Sequence, residues 1–520
     1  MIRAYGPHHI VRPNVDATPG ISMSGVVMHF AEVFRHRAGM SPDQPALADE
    51  HNGSLSNAEV VKRIEYACTR LASSGVRPGD VVAVKLPNRI ELIIALFAAW
   101  QLNAAVTPIN PALTTSEVEH QLGDSGARVI VTDDDGDYGA VARLSAALLT
   151  EPSATNPAPA LPAVTHSGSD TALLVYTSGT TGRPKGVILT HDNVSAMAES
   201  IATAMDSGPD THSLLILPLF HVNGIVVSVL SPLLAGGRAT VAGRFDPRTF
   251  FGLVEKYRPT YFSAVPTIYA MLEALPAEIK PDTSSLQFAI CGAAPMPPGL
   301  IAAFEGRYNV PIIEGYGLSE ATCASTSNPR NGLRKPGTVG VALPGQQVAI
   351  MAPDGSFITD GSPGEVVIQG PTVMRGYLNQ PEETAKTLVA GWLRTGDVGV
   401  IDADGYLTLV DRAKDMIIRG GENIYPKEIE AALYAHPKVH EAAVVGRPDA
   451  IYGQVPVAFV TPKPGADIPV EELTAHLATL LAKYKRPEVV VTEFIPKNAV
   501  GKIDKPALRL QLASPTPSNA

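Results

Sequence analysis

The sequence predicts an α/β protein: a large N-terminal domain of layered α/β sheets carrying a β-rich subdomain, followed by a small C-terminal α+β domain. Three observations predict it. Between about residues 80 and 320 compact apolar runs ("VVAVKLP", "ARVIVTD", "ALLVY", "SLLILPL", "TYFSAVP", "LQFAICG", "VPIIEGY") alternate with helix-type stretches, the rhythm of α/β layers on largely parallel sheets. After Gly337 the runs shorten and alternate, as in "GEVVIQG" and "GYLTLVDR", with Asp-Gly turns at 354 and 404, which reads as a barrel or a packed sheet. From about residue 413 a third pattern follows: a helix in "IYPKEIEAAL", strands "EAAVVGR" and "PVAFVTP", a helix in "VEELTAHLATLLAKY" and a strand in "PEVVVTEF". A chain of 520 residues exceeds one comfortable core, so the expected domains are 1–412 and 413–520.

Composition excludes several classes. A 45% hydrophobic and 18% charged content describes a globular chain, and a net charge of −10 argues against a nucleic-acid surface. The longest apolar run, "LIIALFAAW" (92–100), is too short to span a bilayer, and the prolines and histidines of "MIRAYGPHHIVRPNVD" interrupt any signal-peptide core. Cys68, Cys291 and Cys323 are far apart and odd in number, giving neither a disulfide framework nor zinc spacing; they read as buried small hydrophobes. The expectation is a soluble, cytoplasmic protein. "EPSATNPAPALPAV" (151–164) reads as a surface connection and the tail "ASPTPSNA" as disordered.

The run "YTSGTTGRPKG" (176–186) is too rich in glycine and small polar residues to build a core. Its backbone N–H groups and hydroxyls, with Lys185, can wrap polyphosphate oxygens; taken alone, the run reads first as a mobile surface loop. It is not a P-loop, because Lys185 is followed by Gly186 rather than Ser or Thr. "TALLVY" before it reads as a buried strand, and Thr190 or Asp192 can cap the helix that follows.

Four later segments join this loop in order: "EGYGLSE" (314–320), "WLRTGD" (392–397), "DRAKDMIIRGGENIYP" (411–426) and "PKNAVGKIDK" (496–505). The ordered set resembles the adenylate-forming superfamily and, within it, the acyl-CoA synthetases, over nearly the whole chain. The resemblance implies an AMP-binding adenylation domain, a mobile C-terminal lid, and ATP, Mg²⁺ and coenzyme A as cofactors. It places Thr177, Ser178, Gly179, Thr180, Thr181, Gly182 and Lys185 on ATP phosphates, and Gly292, Ala293, Ala294, Gly315, Gly317 and Ser319 around the nucleotide. Tyr316 is to stack on adenine, its glycine neighbours leaving the ring face unshielded, though a core aromatic is its equal competitor.

Glu320 is an acid on a loop after a strand, suited to Mg²⁺ together with phosphate oxygens; alone it would read as a solvated acid. Asp397 is to accept from the ribose diol, and Arg412 is a planar fork for hydroxyl or phosphate oxygens, with a structural salt bridge as its competitor. Lys502 would ordinarily be solvated; the resemblance brings it to the α-phosphate, makes Lys414 the hinge, and sets Gly420, Gly421, Glu422 and Asn423 against coenzyme A. Catalysis would then rest on Lys502, Lys185, Glu320 and His221, with no protein nucleophile.

His221, Asn223, Val265 and Gly315 match segments that line the acyl pocket, His221 orienting the carboxylate or serving as a hydrogen-bonded core histidine. "FHVNG" and "TSNP" resemble ligases for oxalate and malonate, yet residue 315 is glycine where a malonate ligase carries arginine. The expectation is therefore an acid–CoA ligase for a small or medium monocarboxylic acid, aliphatic or aromatic. A ligase for a small dicarboxylate, an enzyme loading a carrier-protein pantetheine, a luciferase-type oxygenase and a nucleotide-binding protein without catalysis remain open. So does a monomer or homodimer.

Overall fold

The computed structural model describes residues 29–150, 165–177, 184–294, 296–412, 415–419, 422–449, 451–497 and 503–513. The chain divides into two compact units: Met1–Ala349, Val367–Thr395 and Asp402–Leu407 form the first, and Ile350–Val366, Gly396–Ile401 and Thr408–Ala520 the second. The connection read at 151–164 and the tail from residue 514 lie outside the described residues.

The first unit is built on two sheets. One has nine strands in the order β15-β14-β13-β12-β11-β9-β10-β1-β2. These are β1 Pro45–Asp49, β2 Gly53–Ser56, β9 His212–Leu215, β10 Arg238–Val241, β11 Tyr261–Ala264, β12 Phe288–Cys291, β13 Ile312–Tyr316, β14 Thr326–Ser327 and β15 Val341–Ala342. The other has seven, in the order β19-β8-β7-β4-β3-β5-β6. Its members are β3 Val81–Lys85, β4 Ala105–Pro108, β5 Ala127–Thr132, β6 Ala142–Leu144, β7 Thr171–Thr177, β8 Lys185–Thr190 and β19 Gly376–Tyr377. All seven apolar runs named from the sequence are strands, and the interior pairings are parallel, with Val82 opposite both Val106 and Val129. Near-continuous apolar strands of this kind are covered on both faces. The antiparallel members, β2, β8, β14, β15 and β19, sit toward the sheet edges.

The run "LIIALFAAW" forms the buried helix Ile90–Gln101, which packs on β3 and β4 of one sheet and on β1 of the other. A helix apolar on every side fits only where neighbours cover every side. No helix among the described residues is long and apolar enough to cross a membrane. Below the nine-stranded sheet, Phe250, Phe262, Tyr269 and Phe304 form an aromatic core, with Tyr269 and Phe304 edge to face at 5.0 Å.

The β-rich stretch forms a six-stranded packed sheet rather than a closed barrel, and the unit boundary runs through its strands β16 Gln347–Met351, β18 Gly364–Gln369 and β21 Trp392–Ile401. The Asp-Gly signals are turns as read: Gly355 and Gly405 take φ of 86° and 85°, the left-handed region that glycine enters without penalty.

In the second unit the long strands β25 Val439–Asp449 and β26 Gly453–Pro462 pair antiparallel, and β27 Glu488–Val491 joins β26 in parallel. Alternation along the strands feeds two cores. Val444 and Val460 pack with Ile429, Leu433, Leu473 and Leu477 of the helices Pro426–Tyr434 and Val470–Leu480, whereas Val445 and Val457 pack with Ile495 and Leu508. The second helix stops at Leu480, short of the "LLAKY" end read from sequence: Leu481 turns extended and is buried in the same core as Leu477.

One buried cation ties the first unit together. Arg37, 3% exposed, donates to Asn57 Oδ1 at 2.8 Å, the Leu233 carbonyl at 2.7 Å and the Gly237 carbonyl at 2.8 Å, and burial pushes its guanidinium down to about 10. Arg37→Met should strand those acceptors and destabilise the protein by ~3 kcal/mol, read as a fall in the urea midpoint; a loss below ~1 kcal/mol would contradict this role.

Candidate functional site

The neighbouring strands β9, β11, β12 and β13 are parallel, so their carboxyl ends share one edge of the sheet. Several residues singled out in the sequence follow those ends: His221 and Asn223 after β9, Val265 after β11, Gly292, Ala293 and Ala294 after β12, and Gly315, Tyr316, Gly317, Ser319 and Glu320 at and beyond the end of β13. That edge is where open α/β sheets bind ligands.

Local chemistry sets each position. Asn88 clamps the chain before His221, donating to the Leu217 carbonyl and accepting from Leu219 N–H, both at 2.9 Å. The His221 ring lies 4.5 Å from that of Phe220, and Asn223 Oδ1 accepts from Ser263 at 3.0 Å. Val265 is half-buried against the aromatic core and caps the helix Pro266–Glu273. Ala293 is exposed with φ of 68°, a left-handed conformation that disfavours a side chain by ~1 kcal/mol.

Tyr316 is only 8% exposed, so its glycine neighbours do not serve to open its ring face. They answer a closer constraint. The chain doubles back along β13, pairing Gly315 with Ser327 and Tyr316 with Thr326, and a Cβ on Gly317 would lie 2.1 Å from the Cys323 carbonyl oxygen. A Cβ on Gly315 would meet the Thr326 carbonyl oxygen at 3.1 Å, a tighter fit than an ordinary contact.

Glu320 sits in the 3₁₀ turn Ser319–Ala321, ended by Thr322 at φ 63°, an unusual backbone for a β-branched residue. Thr322 is fully buried and donates to the Thr372 carbonyl at 2.5 Å, while the Glu320 carbonyl accepts from Met374 N–H at 2.8 Å. Asn193, in the first turn of the helix His191–Ala204, donates to the Pro371 and Val373 carbonyls at 2.7 and 2.9 Å. Of the two caps the sequence offers, Thr190 caps that helix and Asp192 falls in its first turn. Residues 371–374 are thus stapled to both the Glu320 turn and the helix that follows β8.

That segment leads into β19, which pairs antiparallel with β8, Tyr377 opposite Val187. β8 in turn pairs with β7, with Lys185 opposite Thr177. Three side chains meet here. Lys185 Nζ, on a residue 7% exposed, donates to Glu383 Oε1 at 2.5 Å and stands 5.1 Å from the centre of the Tyr377 ring. Tyr377 Oη donates to Glu320 Oε1 at 2.9 Å. Lys185 holds the Glu383 carboxyl below its usual range, and burial, then Glu320, pushes the Tyr377 phenol upward, so the phenol stays a donor at neutral pH.

The structure therefore brings together Lys185 and Glu320 through Tyr377, with Glu383 paired to the lysine. Sequence reading found neither Tyr377 nor Glu383. Glu383 reads as an ordinary first-turn acid of the helix Pro381–Thr387, and its contact spans 198 residues.

Asp397 and Arg412 belong to the second unit, on β21 and at the end of β22 Leu407–Arg412; Asp397 is 5% exposed. There Lys427 N–H donates to Asp411 at 2.8 Å, and burial lowers the Lys427 ammonium against the pull of Asp411 and Asp397. Ser178, Gly179, Thr180, Thr181, Gly182, Lys414, Gly420, Gly421 and Lys502 lie outside the described residues, and Arg412, Glu422 and Asn423 are described by backbone alone. Cys68 and Cys291 are buried free thiols, and burial pushes Cys68 up to about 12.

An α/β sheet that gathers such residues at its strand ends, beside a lysine and a carboxylate held in one network, defines an enzyme fold of the adenylate-forming class. Residues 34–378 match the AMP-binding enzyme family and residues 428–502 the AMP-binding enzyme C-terminal domain; the chain belongs to that family. Feruloyl-CoA synthase of an Amycolatopsis species is 39% identical over 481 residues, covering 91% of this chain and 97% of that protein. Oxalate–CoA ligase of Arabidopsis thaliana is 35% identical over 507 residues, covering 93% and 97%. Among solved structures, ATP-bound MatB from Rhodopseudomonas palustris has a TM-score of 0.86 at 31% identity, covering 92% of this chain and 98% of that one. O-succinylbenzoate coenzyme A synthetase (MenE) from Bacillus subtilis, in complex with ATP and magnesium ion, has a TM-score of 0.83 at 31% identity, covering 93% and 99%.

Glu314, within β13 itself, supplies a pH test. Burial pushes Glu314 up to about 7, against a hydrogen bond from Gly337 N–H. Unfolded, its carboxyl ionises near 4.5, so its contribution to stability is full below that pH, falls as pH rises through about 7, and is constant above. Glu314→Gln should therefore gain stability over wild type at pH 8, by ~3 kcal/mol at most, with the gain vanishing near pH 4. Urea midpoints across that range check it, and a pH-independent difference would contradict it.

Proposed function

We propose that this AMP-forming acid–CoA ligase activates a small or medium monocarboxylic acid, aliphatic or aromatic, and that Lys185, Glu320 and Lys502 carry the charge of its first step. The observation that supports this most is the convergence of Lys185 and Glu320 on Tyr377.

The acid's carboxylate oxygen attacks the α-phosphorus of ATP, the bond to the β-phosphate oxygen breaks, and pyrophosphate leaves, giving acyl-AMP. The sulfur of coenzyme A then attacks the acyl carbonyl carbon, the bond to AMP breaks, and the thiol proton passes to solvent. Both steps need neutralised oxygens rather than a protein nucleophile. Lys185 binds phosphate oxygens beside the chain of residues 177–182, and Lys502 meets the attacking carboxylate and the α-phosphate. His221 orients the acid, the strand-end segment Gly315, Tyr316 and Gly317 borders adenine, and Asp397 and Arg412 hold the ribose.

Glu320 suits a hard cation. It offers carboxylate oxygens at the ligand edge of the sheet, and a small hard cation there takes few protein carboxylates and keeps water and substrate phosphate as its other ligands. Bound there, Mg²⁺ supplies charge neutralisation on the phosphates.

His221, Asn223, Val265 and Gly315 place no permanent cation against the acid, so a second carboxylate would be costly to desolvate. The domain boundary is set at 412/413, with Lys414 as hinge and Gly420, Gly421, Glu422 and Asn423 approaching coenzyme A after rotation. Residence in a reducing cytoplasm accords with the thiols.

Pyrophosphate release across a panel of acids, with and without coenzyme A, tests the activity. Release with monocarboxylates, and thioester only when coenzyme A is added, is expected; preference for oxalate or malonate would overturn the acid assignment. Lys502→Ala separates the steps: it should nearly abolish acyl-AMP formation, a loss of several kcal/mol of stabilisation. Supplied acyl-AMP and coenzyme A should still give thioester at close to the wild-type rate, and equal loss of both half-reactions would contradict the two-state lid.

A further inference from the structure

We infer that Tyr377 is a positioning residue that joins the phosphate lysine and the metal carboxylate into one unit, its ring face supporting Lys185 and its hydroxyl aiming Glu320 at the cation. The inference rests on the functional reading above and adds a residue to it. Three facts carry it. Tyr377 touches both groups at once, Nζ of Lys185 standing 5.1 Å from its ring centre and Oε1 of Glu320 accepting from its hydroxyl at 2.9 Å. The ring and the hydroxyl are independent handles, an ammonium over a π-face and a charge-assisted hydrogen bond.

The position is also built. β19 is held against β8 by pairing at Gly376 and Tyr377, and Tyr377 N–H donates to Thr384 Oγ1 at 2.9 Å. A Cβ on Gly376 would lie 2.7 Å from Thr384 Cγ2, so the residue before Tyr377 must be glycine for the strand to lie this close to the helix bearing Glu383. The same helix returns Glu383 to Lys185, so that Glu320, Tyr377, Lys185 and Glu383 form one chain of contacts.

A carboxylate has about four acceptor sites, and one hydroxyl on Oε1 leaves the others for a cation while fixing the plane of the group. The hydroxyl therefore acts on metal binding through Glu320, and the ring acts on ATP binding through Lys185. The two effects separate by substitution. Tyr377→Phe keeps the ring and removes the hydroxyl; Tyr377→Leu removes both.

The test is calorimetric binding of ATP in the absence of any acid, repeated over a range of Mg²⁺ concentrations, on wild type, Tyr377→Phe, Tyr377→Leu and Glu320→Gln, with thermal melts to confirm folding. Tyr377→Phe should raise the half-saturating Mg²⁺ about fivefold while leaving metal-free ATP affinity within about twofold. Tyr377→Leu should show the same Mg²⁺ shift and also weaken metal-free ATP binding by about threefold to fivefold. A wild-type Mg²⁺ dependence in Tyr377→Phe, with Glu320→Gln shifted, would overturn the role of Tyr377 and leave Glu320 in place. Unchanged dependence in both would remove Glu320 from the metal site, and the role of Tyr377 with it. Equal loss of metal-free and metal-dependent binding in Tyr377→Phe would show a general packing defect and also overturn the inference.

Discussion

The short antiparallel pairing of β19 with β8 is the constraint on which the candidate site depends. β8 begins at Lys185 and β19 ends at Tyr377, so their register alone decides whether the lysine meets the tyrosine. Without that pairing Lys185 would be a half-buried ammonium lacking its partner, and an unpaired buried charge is strongly unfavourable. With it, Glu383 comes within 2.5 Å and the ammonium is held in place although only 7% exposed. The pairing rests in turn on the staples at residues 371–374, where Asn193 makes two hydrogen bonds and Thr322 and the Glu320 carbonyl one each. The left-handed Thr322 is the clearest sign that the surroundings over-determine this turn, since nothing local favours it.

The nine-stranded sheet supplies the other half of the geometry. Parallel strands bring their carboxyl ends to one edge, and loops there are free to vary while the strands stay packed. The glycines around Tyr316 show how tightly that edge is filled: the doubled-back chain of residues 323–328 leaves no room for a Cβ at 317 and little at 315. A side chain at 315 would require the neighbouring Thr326 carbonyl to give by a few tenths of an ångström, so the tight turn constrains this position sterically.

Much of the fold was legible in the sequence, because long β-branched runs bounded by turn residues have few alternatives. The seven apolar runs, the Asp-Gly turns, the Thr190 cap and the order of elements after residue 413 are all found in the structure. What was not legible depends on distant partners. Tyr377 and Glu383 carry no local signal, since their contacts with Glu320 and Lys185 span 57 and 198 residues. Tyr316 looked accessible because its neighbours are glycines, whereas it is buried and the glycines answer the close approach of the chain that returns past residue 323. The helix end at Leu480 followed burial of Leu481 rather than helix propensity, which favours continuation through that leucine-rich run.

The central claim is that Lys185 and Glu320 serve one bound nucleotide as a coupled pair. A double-mutant cycle on ATP binding in saturating Mg²⁺, with Lys185→Ala, Glu320→Gln and the double variant, tests it most directly. The account predicts that the losses fail to add, with an interaction of ~1 kcal/mol or more between the two sites. Losses that add to within ~0.5 kcal/mol would contradict it, because residues joined through Tyr377 and one ligand cannot act independently.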